Sequence, residues 1–172
     1  MTLAPDVAQA GLQQLAAIYQ AQGSLAAFGR RVMPDTYQQP PHVRLLIEHL
    51  EALERREIKR LIVTMPPRSS KSLHLSRLFP AWWLGRHPEQ GVIIASYGEA
   101  LPTGHGRAVR DMLTHPSYPF ATRLRPDVKA AGHWQTTQGG GLIAAGVGSG
   151  ITGEGGHLVV LDDLLAGRAE AE

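Results

Sequence analysis

The sequence contains no cysteine. This absence excludes a disulfide framework, a zinc site with thiolate ligands and a cysteine nucleophile, and it is typical of proteins in a reducing cytoplasm. Long apolar runs are also missing: no stretch approaches the roughly 20 apolar residues of a membrane helix, so no membrane association is expected. Lys and Arg exceed Asp and Glu only slightly, 17 against 15. That balance permits a nucleic-acid partner without requiring one.

Apolar residues at helical spacing predict three helices before position 60. The first covers residues 5–22, and Gly23 provides a stop signal. The second is short and is marked by Leu25, Phe28 and Val32. The third opens at Pro41 and has an apolar face formed by Val43, Leu46, Ile47, Leu50 and Leu53. We predict that residues 1–34 form a helical segment ahead of the main domain.

After position 60, short apolar runs rich in β-branched residues replace the helical period. They lie at residues 61–65, 92–95 and 158–161 and are typical of strands buried on both faces of a parallel sheet. Helical patterns separate them at residues 72–84, where Pro80 should kink the helix, and at residues 99–113. Two further runs around a glycine triplet, residues 134–137 and 142–145, predict a small hairpin.

The alternation of strands and helices predicts an α/β fold with a mainly parallel central sheet flanked by helices. We assign residues 35–172 to this domain. Because the chain stops soon after the third run, we expect the domain to be incomplete, with its later strands missing.

A phosphate-binding loop is predicted between the first apolar run and the following helix, in Met65-Pro66-Pro67-Arg68-Ser69-Ser70-Lys71-Ser72. In such a loop backbone N–H groups and a helix N-terminus surround a phosphate, Lys71 reaches the β and γ phosphates, and the Ser72 hydroxyl binds Mg²⁺. Met65 and Ser70 stand where the general pattern has glycine. Ser70 would therefore carry a cost of about 1–2 kcal/mol if its backbone is left-handed. A polar turn with an N-capping serine is the alternative for this segment alone.

The third apolar run ends in two consecutive acids, Asp162 and Asp163. A buried strand that delivers carboxylates to the C-terminal edge of a sheet is the Walker B pattern. Asp162 would then hold Mg²⁺, usually through water, and Asp163 would orient and deprotonate an attacking water. Two acids after a strand are by themselves more often a turn or a helix cap. Their occurrence after a predicted phosphate loop, in this order, favours the nucleotide site.

Further short motifs surround these two segments: Pro41-His42-x-Arg44-Leu45-Leu46, Phe79-Pro80-Ala81-Trp82-Trp83-Leu84-Gly85-Arg86, Ala95-Ser96-Tyr97 and Gly106-Arg107-x-Val109-Arg110. Together with the loop and the paired acids, and in the same order, they resemble the ATPase part of the large terminases of tailed bacteriophages and prophages. The resemblance extends from about residue 25 to the C-terminus.

The resemblance implies an ASCE-type P-loop NTPase that uses ATP and Mg²⁺ and hydrolyses ATP to move double-stranded viral DNA into a procapsid. It implies four further partners in the host cytoplasm: the portal protein, the procapsid, the small terminase subunit and further copies of the chain in a ring. It also implies that Gln38 and His42 contact adenine, and it makes Arg68, Arg107 and Arg110 candidate arginine fingers.

Ser70, Glu154 and Leu164 depart from the pattern of that family. Neither its coupling motif nor its nuclease domain has a counterpart in these residues, so we expect no DNA cleavage and slow ATP turnover by this chain alone. Two alternatives stay open. One is a nucleotide-binding assembly module with little turnover. The other is a P-loop phosphotransferase, for which no segment suggests a lid or an acceptor pocket.

Overall fold

The computed structural model describes residues 5–149 and 155–165, so Glu154 lies outside the described residues. Within these ranges the chain forms an α/β fold with one five-stranded mixed sheet flanked by helices. The helices are α1 (Pro5–Gly23), α2 (Leu25–Val32), α3 (Pro41–Glu54), α4 (Lys71–Leu73), α5 (Phe79–Arg86) and α6 (Ala100–Leu113). The strands are β1 (Gly91–Ser96), β2 (Leu124–Ala130), β3 (His133–Thr136), β4 (Gly141–Gly146) and β5 (Leu158–Leu161). None of the helices described is long and apolar enough to cross a bilayer.

The sheet has the strand order β2-β3-β4-β1-β5. β1 pairs in parallel with both β4 and β5, whereas β3 is antiparallel to β4 and to β2. The predicted hairpin is confirmed as β3 and β4, but the prediction of a mainly parallel sheet is wrong. A tight turn between consecutive strands places them antiparallel, and this hairpin supplies two of the five strands.

The three helices predicted before position 60 from apolar spacing are confirmed, but they differ in burial: on α1 the side chains of Val7, Leu12, Leu15 and Tyr19 are exposed. Val43, Leu46, Ile47 and Leu50 of α3 are all buried in the main hydrophobic cluster. Phe28, Trp82 and Trp134 belong to the same cluster. The indole nitrogen of Trp82 donates to the Ala21 carbonyl at 3.2 Å, and that of Trp134 donates to the Gly106 carbonyl at 3.1 Å. Both large aromatic side chains are thus buried without leaving an unpaired donor.

The helical run that follows the predicted loop is interrupted before Pro80. A π-helical turn, His74–Leu78, lies between α4 and α5. Proline lacks the N–H that would close the preceding α-helical turn, so the expected disruption takes the form of this wider turn. The turn carries two inward-facing polar side chains, His74 and Ser76, which are both buried.

The predicted strand at residues 61–65 is wrong. These residues belong to no strand, and their side chains alternate between half-buried and exposed, with Ile62 94% exposed. A cavity of about 550 Å³ lies between this segment and β5 and is lined by both. A strand requires a neighbouring backbone with which to exchange hydrogen bonds. Among the described residues no strand occupies that position, so an apolar run with β propensity stays unpaired.

The strand β5 was predicted correctly in position but not in burial. Leu158 and Val160 are buried, whereas Val159 and Leu161 are exposed, so one face of β5 is covered and the other is open. The edge strand β2 was not predicted. Its sequence, Leu-Arg-Pro-Asp-Val-Lys-Ala, contains proline and charged residues, which are common on sheet edges and obscure the strand signal.

Candidate functional site

The predicted phosphate loop forms a tight turn that leads directly into α4. Arg68 and Ser70 have positive φ angles of 61° and 65°, in the left-handed region. Ser70 has ψ 19°, and its hydroxyl makes no capping hydrogen bond. The predicted cost of a non-glycine residue at this position therefore applies, because the Cβ atom clashes with the following carbonyl in this conformation.

A buried histidine holds the loop in this conformation. His74 Nδ1 donates to the Ser70 carbonyl at 2.9 Å, and the backbone N–H of His74 donates to the same oxygen at 3.2 Å. The Tyr37 hydroxyl donates to His74 Nε2 at 3.3 Å. Burial lowers the pKa of His74, so the ring is neutral and uses one nitrogen as donor and the other as acceptor. Sequence reasoning missed this contact, although Ser70 and His74 stand one helical turn apart.

The variant Ser70→Gly is expected to stabilise the protein by about 1 kcal/mol, because glycine adopts the left-handed region without the cost that Ser70 carries. Equilibrium urea unfolding measures the change. The matched control is Ser70→Ala, which removes the hydroxyl but keeps the Cβ atom and should gain nothing. An equal gain in both variants would show that the hydroxyl, rather than the backbone conformation, is responsible.

The two predicted acids lie at the sheet edge beside the loop. The Asp162 N–H donates to the Ala95 carbonyl and the Tyr97 N–H to the Asp163 carbonyl, both at 2.9 Å, so the end of β1 fixes the chain just after β5. The Asp162 side chain is 2% exposed and that of Asp163 is 62% exposed. Asp163 also has a positive φ of 50°, which aspartate and asparagine tolerate better than most residues.

Lys71 joins the loop to both acids. Its Nζ lies 3.2 Å from Asp162 Oδ1 and 3.1 Å from Asp163 Oδ1. Partial burial acts to lower the pKa of Lys71, but the hydrogen bonds and charges of Asp163 and Asp162 outweigh burial and raise the pKa above its ordinary value. Lys71 is therefore an ammonium ion throughout the physiological pH range. The structure brings together the three residues predicted to act on phosphate, metal and water.

Hydroxyl groups complete the surroundings of Asp162. Ser76 Oγ donates to Asp162 Oδ2 at 2.7 Å. Burial acts to raise the pKa of Asp162, but hydrogen bonds from Ser72 and Ser76 and the ammonium of Lys71 outweigh it and hold the pKa below its ordinary value. Asp162 is therefore ionised at neutral pH. Ser76 was not predicted, since its contact spans 86 residues of sequence.

Several buried polar atoms at this point have no hydrogen-bond partner among the described residues. They are Ser96 Oγ at the end of β1, His105 Nε2 on α6 and Asp162 Oδ1, and Ser69 Oγ in the loop is a fourth. Buried groups without partners are uncommon in native proteins and occur at sites of strain, catalysis, bound water or bound ions; Trp83 Nε1 and Gln90 Oε1, which do not belong to this site, are also unpaired among the described residues. Ser72 and Asp162 offer only oxygen atoms, which suits Mg²⁺. Within residues 5–149 and 155–165 there is no cluster of three potential metal-ligating side chains.

A second unpredicted residue, Arg77, links the π-helical turn to α6. Its Nε donates to His105 Nδ1 at 3.1 Å. Burial and the positive charge of Arg77 lower the pKa of His105, although the two acids act in the opposite direction. His105 is therefore neutral, and it lies directly behind Asp162.

The assignment of the three arginine fingers stays a prediction: Arg68 lies in the loop itself, and Arg107 and Arg110 lie on α6. Arg110 Nη1 donates to the Lys129 carbonyl at 3.0 Å, and Arg110 also pairs with Asp111. Arg68 and Arg107 are exposed. In the described part of the chain, no hydrogen bond or ion pair joins any of the three to Lys71, Asp162 or Asp163.

The two predicted adenine contacts are separated in the structure. His42 lines a largely apolar cavity of about 520 Å³ beside the loop, together with Leu45, His49, Met65, Pro66 and Ser69. That volume lies in the range of small-molecule pockets. Gln38 is exposed and does not line this cavity.

Comparisons with protein-family models, with curated proteins and with solved structures found no match to this chain. The chemistry of the site therefore rests on its own geometry. A lysine on a loop, two carboxylates from a strand and a serine hydroxyl at the start of a helix can bind a polyphosphate with a divalent cation. An exposed carboxylate beside them can accept a proton from water.

Proposed function

We propose that this chain binds Mg·ATP at the loop formed by residues 66–72 and hydrolyses it. The observation that carries the proposal is the position of Lys71 Nζ, 3.2 Å from Asp162 Oδ1 and 3.1 Å from Asp163 Oδ1. Lys71 and Asp163 are 92 residues apart in sequence, so only the fold brings them together. A polar turn that caps a helix does not by itself require a lysine in contact with two acids from a distant strand.

Each residue has a separate task in the proposed reaction. Lys71 moves from the carboxylates to the β and γ phosphates, and the loop amides ahead of the helical run bind the same group. The Ser72 hydroxyl and the Asp162 carboxylate would hold Mg²⁺, which neutralises charge on the phosphates when it is bound. Asp163 is exposed, and once Lys71 has moved to the phosphates its carboxylate can turn towards an attacking water, from which it takes the proton.

We further propose that this ATPase is the motor part of a phage or prophage large terminase. The order of motifs from Pro41 to Asp163 supports this class. Its partners would be double-stranded viral DNA, the portal and procapsid, the small terminase subunit and other copies of the chain in a ring. The cavity lined by His42 is the proposed place of the adenine base, with Gln38 left outside it.

A nucleotide-binding module with little turnover is the second candidate, and the arginine positions favour it. Neither Arg107 nor Arg110 contacts the site, and Arg110 is engaged with Lys129 and Asp111. Loss of an arginine finger costs about 10³–10⁵ in rate. The two candidates differ in turnover and agree on nucleotide binding, so binding is the property to test first.

The variant Asp162→Asn is expected to weaken the Mg²⁺ dependence of ATP binding. Wild-type protein should bind ATP more tightly with Mg²⁺ than with EDTA. The variant should need about 10–100-fold more Mg²⁺ for the same affinity, at least the range seen when a supporting group of a metal site is lost. Titration calorimetry at a series of Mg²⁺ concentrations gives both values.

The control for this experiment is Asp111→Asn, which removes an exposed carboxylate of α6 that pairs only with Arg110 among the described residues. This control should bind Mg·ATP like the wild type. Equal Mg²⁺ dependence in wild type, Asp162→Asn and the control would contradict the assignment of Asp162 as a metal ligand.

A further inference from the structure

The buried histidine behind Asp162 has no task in the proposed reaction. His105 is 2% exposed, and its Nε2 lies 3.8 Å from Asp162 Oδ2. Its other ring nitrogen, Nδ1, lies 3.1 Å from Arg77 Nε. The imidazole therefore stands between an arginine of the π-helical turn and the carboxylate at the end of β5.

The contact with Arg77 determines which nitrogen carries the proton. A guanidinium group only donates hydrogen bonds, so Nδ1 of His105 must be the acceptor. The neutral ring then carries its hydrogen on Nε2. That nitrogen faces Asp162 and has no hydrogen-bond partner within the described residues.

The two oxygens of Asp162 have different surroundings. Oδ2 faces inward, where it accepts from Ser76 at 2.7 Å and lies near His105. Oδ1 lies 3.2 Å from Lys71 and has no hydrogen-bond partner. The inner oxygen, Oδ2, is thus held by Ser76, whereas Oδ1 contacts Lys71 and is available to a ligand only when Lys71 moves to phosphate.

We propose that His105 is a positioning residue that holds the inner oxygen of Asp162 when nucleotide draws Lys71 away. The inference rests on the proposed ATP site. In the structure the Lys71 ammonium balances the buried carboxylate. Once Lys71 contacts phosphate, Asp162 needs another donor. His105 Nε2–H supplies it after a movement of about 1 Å, since an N–H···O bond is normally close to 2.9 Å.

Two substitutions at His105 separate its two contacts. The amide nitrogen of glutamine reaches about as far as Nε2, so His105→Gln retains a donor towards Asp162 but loses the contact with Arg77. Asparagine reaches only as far as Nδ1, so His105→Asn retains the contact with Arg77 but loses the donor towards Asp162.

The Mg²⁺ concentration for half-maximal ATP binding should stay near the wild-type value in His105→Gln. It should rise about tenfold in His105→Asn, as for the loss of a group that orients a metal ligand. ATP binding in EDTA should be the same in both variants.

The opposite pattern would overturn the proposal. A histidine that only fills space would change the Mg²⁺ requirement equally in both variants, or in neither, because both lose the imidazole ring. A change in ATP binding without Mg²⁺ would likewise indicate a general disturbance of the site and contradict a role through Asp162.

A second measurement requires neither nucleotide nor a folded His105 variant. Long-range ¹H–¹⁵N correlation spectra of nucleotide-free wild type and Lys71→Ala report the tautomer of each histidine. We expect the Nε2–H tautomer for His105 in both proteins. The Hε2 signal should move downfield in Lys71→Ala, where Asp162 has lost its ammonium partner. An Nδ1–H tautomer, or an unmoved Hε2 signal, would overturn the inference. If the expected shift occurs but the wild type binds no Mg·ATP, the proposed function fails while the His105–Asp162 interaction stands.

Discussion

Asp163→Asn is expected to lower the rate at which bound ATP is hydrolysed by about 10²–10⁴-fold, the usual contribution of a general base. Asparagine keeps the size of aspartate but cannot accept a proton from water. It also tolerates the positive φ of 50° at this position, so the backbone should be undisturbed. Lys71, the loop and Asp162 are unchanged in this variant, so ATP should still bind with nearly unchanged affinity.

Single-turnover measurement is the suitable assay, because the wild-type rate is itself expected to be low. Arg107 and Arg110 make no hydrogen bond or ion pair with Lys71 or the two acids among the described residues, and loss of an arginine finger costs about 10³–10⁵ in rate. Asp127→Asn is the matched control, since Asp127 is an exposed acid of β2 that pairs with Arg125. Hydrolysis by Asp163→Asn at the wild-type rate would show that another group takes the proton. Brisk wild-type turnover, at about 10 per second, would show that an arginine of this chain acts in its own site.

Helices and the central strand were predictable because their signals are local. The spacing of Val43, Leu46, Ile47 and Leu50 alone defines the buried face of α3. The run at residues 92–95 is buried because β1 lies between two strands and under a helix layer. In both cases the same residues give the local preference and make the tertiary contacts.

The strand predicted at residues 61–65 shows that a local sequence pattern does not determine whether a segment finds a pairing partner. Its β-branched sequence resembles that of β1, but a strand is defined by hydrogen bonds to a neighbour. β1 has neighbours on both sides, whereas residues 61–65 border cavities that also touch α3 and β5. A sequence preference for β structure therefore produces a strand only where the fold provides a neighbouring strand.

Within the site, sequence indicated the groups that would face a ligand but not those that support them. Lys71, Asp162 and Asp163 stand in motifs whose chemistry is recognisable. His74, Ser76, Arg77 and His105 stand in ordinary helical sequence, and each acts through contacts with residues on other segments of the chain. The contacts of Ser76 and Arg77 span 86 and 28 residues. Such pairings depend on how the helices pack against the sheet, and local periodicity does not specify them.

We propose that Lys71 and its loop bind the phosphates of ATP. A ligand that binds only the folded protein stabilises it by about 2.7 kcal/mol at a hundredfold excess over Kd. For a protein of this size, that corresponds to an increase in Tm of about 5–10 °C. Lys71→Ala should abolish this increase, because the variant lacks the ammonium group that would move from the two acids to the phosphates.

The most direct test is thermal unfolding of wild type and Lys71→Ala, each with and without saturating Mg·ATP. Lys129→Ala serves as the control, because Lys129 lies exposed on the edge strand β2. Each protein is compared with its own nucleotide-free state, so that loss of the Lys71–Asp162 contact does not enter the comparison. The account predicts an increase in Tm for wild type and Lys129→Ala and none for Lys71→Ala. An equal increase in all three proteins would contradict it.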